Sequence, residues 1–139
     1  MAMDLKGAAW MARSLNQSVS CVHLTDHGHV LAGGWDGALA MWDVDGTLVW
    51  RVETGDRISA LALNDATVVV TSGLCIVALD RLTGATRWSV ALEGSADEVV
   101  LWKDDVLAVS SVYDIEHNDF LESAVWCFSI DGEQRWVER

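Results

Sequence analysis

Short runs of hydrophobic residues that alternate with polar ones follow each other along the chain, and turn residues separate them. Val19–Thr25 alternates in this way, Asp26-His27-Gly28 has the composition of a tight turn, and His29–Gly34 is the next run. Alternation with a period of two is typical of half-buried β-strands, because successive side chains of a strand point to opposite faces. The pattern predicts an all-β fold with four short strands in each of three successive units.

Tryptophan marks a repeat in this pattern. Three of the eight tryptophans lie four residues after a glycine, in the pairs Gly46 and Trp50, Gly84 and Trp88, and Gly132 and Trp136. The intervals between these tryptophans are 38 and 48 residues, and Trp10 has the spacing of an earlier, degenerate copy. A period near 40 residues with strand-like content is typical of β-propeller blades. We expect the three tryptophans to be largely buried at equivalent places in their blades, because each can bury a large apolar area.

The repeat predicts three four-stranded antiparallel blades: residues 16–56, residues 57–96, and residues 97–139 with an inserted loop at 113–122. The turns other than the insertion are too short for parallel crossovers. Residues 1–15 have the pattern of a closing strand or, alternatively, of a helix that caps one open face. A propeller closes with about four to eight blades. We therefore expect a partial propeller that does not persist as a closed monomer: an open array in a longer propeller chain, or a ring closed by homo-oligomerisation.

One segment carries a family resemblance. Ala78–Trp88 resembles the tryptophan-docking motif A-x-D-x-x-T-G-x-x-x-W of the pyrroloquinoline-quinone-type propellers; Trp42–Trp50 is similar to a copy shortened by one residue, and Cys127–Trp136 keeps only the glycine and the tryptophan. The resemblance implies that the tryptophan stacks between blades and that the aspartate and threonine brace the turn. It makes the following residues structural: Asp80, Thr83, Gly84, Trp88, Asp43, Gly46, Trp50, Gly132 and Trp136. Gly33–Gly37 is similar to part of a WD repeat, a family with the same architecture.

The charge and hydropathy of the chain bear on its partners and location. Its 21 acidic and 9 basic residues give a formal net charge of −12. Such a chain repels phosphate backbones, so we expect no nucleic acid partner. The sequence has no apolar run of about 18 residues and no N-terminal signal pattern, so we expect no membrane contact and a cytoplasmic location.

The insertion at residues 113–122 carries the candidate binding chemistry. Its candidate interaction residues are Asp114, Glu116, His117, Asp119, Phe120 and Glu122. Asp114, Glu116 and Asn118 have the spacing of an EF-hand start, but the glycine and glutamate that such a loop requires are absent. Three interpretations stay open: a solvated loop that lengthens a hairpin, a loop with loose Ca²⁺ affinity, and a recognition loop held by a rigid scaffold. We expect no other cofactor.

Two further sets of residues could bind metal. His23, His27 and His29 lie on a predicted hairpin, where His23 and His29 could face each other and bind zinc. An ordinary polar turn is the simpler interpretation. The cysteines are odd in number, far apart and without a CxxC pair, which favours buried reduced thiols at Cys21, Cys75 and Cys127.

The chemistry of the chain favours binding over catalysis. The quinone dehydrogenases that it resembles need Ca²⁺ ligands, a catalytic aspartate and usually a vicinal disulfide, and no such set maps onto this sequence. Related propellers without a cofactor serve as scaffolds. The sequence therefore predicts a non-catalytic scaffold segment for protein–protein interaction, with an unidentified protein partner. The alternative is a fragment of a larger propeller enzyme, quinone-dependent or sugar-processing, whose active residues lie in blades not present.

Overall fold

The computed structural model describes residues 11–139, which form twelve β-strands. The strands are β1 (Val19–Leu24), β2 (Val30–Gly34), β3 (Ala38–Trp42), β4 (Leu48–Glu53), β5 (Ile58–Leu63), β6 (Thr67–Ser72), β7 (Cys75–Asp80), β8 (Thr86–Ala91), β9 (Ser95–Trp102), β10 (Asp105–Asp114), β11 (Asp119–Ser129) and β12 (Gln134–Glu138). Most match the alternating runs of the sequence closely. The hairpin of β10 and β11 is the exception, because both strands continue into the inserted segment.

The strands form three antiparallel sheets of four, each in sequence order. The prediction of three four-stranded antiparallel units is confirmed. The third strand pairs with the fourth through a register shift at the same place in every sheet, after Met41, Ala78 and Cys127. This repeated irregularity leaves one residue of the fourth strand unpaired beside the turn that precedes it.

Two hydrophobic cores lie between consecutive sheets. The first strands are neighbours, since β5 contacts both β1 and β9. The core between the first and second blades contains Leu31, Met41, Trp50, Ile58, Val68, Val70 and Leu79. The core between the second and third blades contains Val69, Ile76, Ala78, Val99, Val106, Trp126 and Phe128. Each sheet therefore packs by its faces, and the middle blade is covered on both sides.

A tryptophan of one blade docks on the turn of the next. The indole N–H of Trp50 donates to the carbonyl of Arg81 at 2.7 Å, and its ring lies 2.8 Å from the place that a Cβ on Gly84 would occupy. Trp88 repeats the contact with the carbonyl of Ile130 at 2.9 Å and with Gly132. Only glycine leaves room for an indole at these two turns, which explains the shared spacing of glycine and tryptophan.

A polar side chain braces each docking turn. Asp43 accepts the N–H groups of Asp45 and Thr47, both at 2.9 Å. Asp80 accepts those of Leu82 and Thr83 at 2.8 and 3.1 Å. In the third blade the Ser129 hydroxyl accepts the N–H of Glu133, and Thr83 accepts that of Ala85. The hydrogen bond from Arg87, supported by the turn N–H groups, holds the pKa of Asp80 below its usual value.

Trp136 departs from the expected burial. Trp50 is 7% exposed and Trp88 is half-buried, but Trp136 is 44% exposed. The prediction that all three are largely buried is therefore wrong for Trp136. The reason is that the burial of each indole comes from the following blade, and within residues 11–139 no blade follows the third.

The segment before β1 lies against the first blade. Leu15 is buried in a small cluster with Ala38 and Trp42, and its carbonyl accepts a hydrogen bond from Arg51 at 3.2 Å. Residues 11–15 form neither helix nor strand, so this part of the segment has neither the closing strand nor the capping helix that the sequence predicts. Its remainder, including Trp10, lies outside the described residues. Within residues 11–139, no helix has the length and hydropathy needed to cross a membrane.

Candidate interaction face

One end of the blades carries every turn between second and third strands and the links between blades. We call this end the upper rim and define it by residues 35–37, 54–57, 73–74, 92–94 and 115–118. Backbone hydrogen bonds tie the links to the turns: Thr54 donates to Gly37 and Leu92 donates to Leu74, both at 2.8 Å. The turns of the upper rim are therefore held by the sheets beneath them.

Each blade exposes a large apolar side chain from its turn on this rim. Trp35 is 51% exposed in the first blade, Leu74 is 58% exposed in the second, and Ile115 is 84% exposed in the third. Single exposed apolar residues are common on soluble proteins. Here the same turn of each of the three blades carries one, so all three side chains lie at the same end of the blades.

A cleft of about 310 Å³ opens on the upper rim between the second and third blades. Its lining residues are Asp56, Arg57, Ser59, Gly73, Leu74, Ser95, Ala96 and Asp97. Asp97 is held in place by the hydroxyls of Ser95 at 2.7 Å and Ser111 at 2.5 Å. An oriented carboxylate beside an exposed leucine suits the binding of a cationic or N–H donor group.

Trp35 contacts a cation of the same rim. The guanidinium carbon of Arg57 lies 4.4 Å from the centre of the Trp35 ring, within the range of a cation–π interaction. Several carboxylates lie on the upper rim or directly beside it: Asp36, Asp56, Asp97, Asp114 and Glu116. The rim thus combines exposed apolar groups with an excess of negative charge.

The third blade extends the rim with its long hairpin. β10 and β11 contain 10 and 11 residues, whereas the corresponding strands of the other blades contain 5 or 6. Tyr113 pairs with Phe120 and Asp114 with Asp119. The rings of Tyr113 and Phe120 meet edge to face at 5.2 Å. Cross-strand pairing continues beyond Val112, so the hairpin is lengthened and the unpaired loop is confined to residues 115–118. Ca²⁺ affinity and recognition by this segment stay predictions.

The tip of the hairpin is stabilised by its own side chains. Asp114 accepts the N–H of Glu116 at 2.9 Å and contacts the His117 ring nitrogen. The contact with His117 holds the pKa of Asp114 below its usual value. Asn118 adopts a positive φ of 54°, which lets the chain reverse, and it contacts the Tyr113 hydroxyl. The predicted interaction residues lie together here, and all are exposed except Asp114, which is half-buried.

The candidate metal ligands are not gathered into a site. The register places His23 opposite Leu31 rather than His29, so the two histidines do not face each other across the hairpin. Among residues 11–139, no group of three or more His, Cys, Asp or Glu side chains is arranged to hold a metal ion. In the 113–122 segment, the Asp114 carboxylate already accepts the backbone N–H of Glu116 and contacts the His117 ring.

The cysteines differ in burial. Cys127 is buried as expected, whereas Cys21 and Cys75 are half-buried, so the expectation of three buried thiols is wrong for these two. Desolvation raises the pKa of Cys21 and Cys127, which favours the neutral thiol over the reactive thiolate. This chemistry suits packing rather than nucleophilic reaction.

Sequence reasoning missed part of the rim. Trp35, Leu74 and Asp97 were not singled out as candidate binding residues. The sequence does contain a signal for two of these residues, because Trp35 directly follows Gly34 and Leu74 directly follows Gly73. A large apolar residue inside a turn is not part of the alternation that strands require.

No protein-family model matches the sequence, and no curated protein matches it significantly. Solved structures do match the fold. The computationally designed protein Ika4 has a TM-score of 0.63 at 18% identity over 91% of this chain and 98% of its own. The β-propeller domain of Cps50 (Swd1) from Myceliophteria thermophila has a TM-score of 0.72 at 15% identity over 91% of this chain. BamB from Moraxella catarrhalis has a TM-score of 0.55 at 16% identity over 93%.

These likenesses concern the fold alone. This chain spans 40% of the Swd1 domain and 49% of BamB. Swd1 is a WD40 propeller and BamB a propeller of pyrroloquinoline-quinone-like repeats, so the structural neighbours include both repeat types, which share the propeller architecture. With three antiparallel sheets stacked face to face and an indole docked across each junction, the described chain consists of three blades of a β-propeller.

Proposed function

We propose that this chain is a non-catalytic propeller scaffold whose upper rim binds a protein partner. The observation that supports the proposal is the exposure of Trp35, Leu74 and Ile115 from equivalent turns of three blades. Aromatic and aliphatic side chains on a rigid support are effective anchors, because little conformational entropy is lost when they are covered. A partner that lies along the rim would cover all three.

The charge of the rim indicates the chemistry of this partner. The carboxylates on and beside the rim and the net charge of −12 produce a negative potential that attracts basic groups. Arg57 is a cation of the rim, and its guanidinium is stacked on Trp35. The partner is therefore a basic protein segment that also carries apolar side chains. Its lysines and arginines pair with the carboxylates, and its apolar groups cover the indole and the leucine.

Binding of a short labelled peptide of alternating lysine and leucine residues tests this proposal. The double variant Trp35→Ala, Leu74→Ala should bind about tenfold more weakly, because two apolar anchors are lost. Fluorescence anisotropy measures the effect, and added salt should weaken binding to every form. Leu82→Ala, at an exposed turn on the opposite rim, is the matched control and should bind normally. Equal affinities for the double variant and the control would contradict the proposal.

The hairpin tip should contribute to binding and not to folding. Val112 and Glu122 are direct cross-strand partners, so residues 113–121 can be replaced by Asn-Gly, a two-residue hairpin turn. The free energy of unfolding should change by less than about 1 kcal/mol, because the removed side chains are exposed and pack mainly on each other. Chemical denaturation followed by circular dichroism measures this. A variant that does not fold would show that the insertion is structural and would remove it from the proposed interaction face.

Three sequence expectations remain part of this proposal. The repeats belong to the pyrroloquinoline-quinone-like type, on the strength of the full copy of the docking motif at Ala78–Trp88. The protein is cytoplasmic. The enzyme alternative places its active residues in blades beyond this chain.

A further inference from the structure

The outer face of the third blade repeats a surface that is buried elsewhere in the chain. In the second blade, one row of cross-strand partners faces the third blade: Ala62, Val69, Ala78 and Trp88. The matching row of the third blade consists of Val100, Leu107, Cys127 and Trp136. Val69 and Ala78 are fully buried, whereas Val100 and Trp136 are exposed. Val109 and Val125 extend the same exposed face. This row has the composition of a blade junction, and its two outer members are exposed in the described chain, whereas Leu107 is half-buried and Cys127 is buried between them.

The first blade carries the receiving half of the same junction. Its turn Val44-Asp45-Gly46 matches Ile130-Asp131-Gly132, the turn that receives Trp88. Gly46 and Gly132 have φ values of 79° and 91°, and both N–H groups donate at 2.9 Å to the carbonyl three residues earlier. Strand β1, at the other edge of the same blade, exposes three apolar side chains, those of Val19, Val22 and Leu24. The carbonyl of Val44 therefore corresponds to the acceptor of an incoming indole.

An arginine occupies this receiving site in the single chain. Arg13 donates from Nε to the carbonyl of Gly46 at 2.6 Å, and its guanidinium lies where a Cβ on Gly46 would point. At Gly84 and Gly132 the same place is filled by the indoles of Trp50 and Trp88. A planar cation thus stands where the other two junctions have a planar aromatic ring.

We propose that the third blade of one copy docks on the first blade of a second copy. Trp136 displaces Arg13 from Gly46, and the other residues of the 11–15 segment, including the buried Leu15, move off this face of the first blade. Two such contacts, related by a twofold axis, close a ring of six blades. The occupant is a second copy because this chain contains both halves of a junction that it already uses twice internally. The proposed contact joins Trp136 of one copy to Gly46 of the other. It leaves the upper rim of both copies free to bind a partner.

Charge sets the salt dependence of this association. Each copy has a net charge of −12, so two copies repel each other at low ionic strength. Added salt screens the repulsion, while the apolar contact at the junction is not weakened by it. Self-association should therefore strengthen with salt, opposite to the binding of a basic partner on the rim. The opposite responses allow the two proposals to fail separately.

Sedimentation equilibrium of the full chain over a range of concentrations, at low and high salt, tests the proposal. The expected result is a reversible equilibrium between the 15.2 kDa chain and a species of twice that mass. Trp136→Ala should weaken dimerisation about thirtyfold, as for a hot-spot tryptophan. Arg13→Ala should strengthen it several-fold, because the competitor at Gly46 is removed. Leu82→Ala, at an exposed turn of the middle blade and away from both terminal faces, is the control and should dimerise normally.

Three results would overturn the proposal. The first is a monomer at all concentrations for both the unaltered chain and Arg13→Ala. The second is a Trp136→Ala variant that dimerises as well as the Leu82→Ala control. The third is growth beyond two copies, which would indicate an open array rather than a ring. Circular dichroism of each variant confirms the fold, and since Trp136 and Arg13 are on the surface, neither change should impair it.

Discussion

Replacing Trp50 with alanine is expected to lower the free energy of unfolding by about 3–5 kcal/mol. The indole is 7% exposed, packs between the first two blades and donates to the carbonyl of Arg81. Its removal leaves a cavity in the core and an unpaired backbone acceptor, and each effect destabilises the fold. Denaturant titration at fixed protein concentration, followed by tryptophan fluorescence and circular dichroism, measures the change.

Trp102→Ala is the matched control for this substitution. Trp102 is exposed, and the ammonium of Lys103 lies 5.3 Å from the centre of its ring. Its removal should cost less than about 1 kcal/mol. If the two variants unfold at the same denaturant concentration, the docked indole does not stabilise the blade junction, and the account of the fold given above is wrong on this point.

Gly84→Ala should lower the free energy of unfolding by about 2–5 kcal/mol, from two sources. The glycine has a φ of 76°, where an alanine costs about 1–2 kcal/mol. Its Cβ would also lie 2.8 Å from the Trp50 ring, and overpacking of this kind costs about 1–3 kcal/mol. The expected consequence is a displaced indole, which would show as a change in the near-ultraviolet circular dichroism.

Gly55→Ala separates these two sources. Gly55 has a φ of 98°, but a Cβ there would meet nothing within 4 Å. This variant should show only the conformational cost, so the difference between the two variants measures the clash with Trp50. Equal destabilisation by Gly84→Ala and Gly55→Ala would show that the indole does not rest on Gly84.

The strands and turns could be predicted from the sequence because their causes are local. Val19–Thr25 and Ile58–Leu63 alternate with the period that a half-buried strand requires. The turn glycines follow polar residues that accept backbone N–H groups, as Asp80 does. Local periodicity does not predict strands at residues 113–122, because this segment is too polar to show a two-residue period. Their pairing arises from the ladder beneath them, which continues from Val112 to Tyr113 and Phe120.

The candidate interaction face could be predicted only in part. The 113–122 segment was identified as a candidate from its length and its mixture of acids and apolar residues. Trp35 and Leu74 were missed because their significance is positional: a turn in each blade comes to the same rim only after the sheets are stacked. The contact of Arg57 with Trp35, 22 residues earlier, is likewise a product of the junction between two blades.

The sequence by itself determined the all-β class, the number of blades and the spacing of glycine and tryptophan, because these depend on residue type and short-range periodicity. Only the tertiary structure decided which tryptophan is covered. Trp50, Trp88 and Trp136 have the same local sequence signal, yet their exposure rises along the chain. An indole on a blade face is buried by whatever packs against that face, and this is a property of the neighbouring blade rather than of the repeat itself.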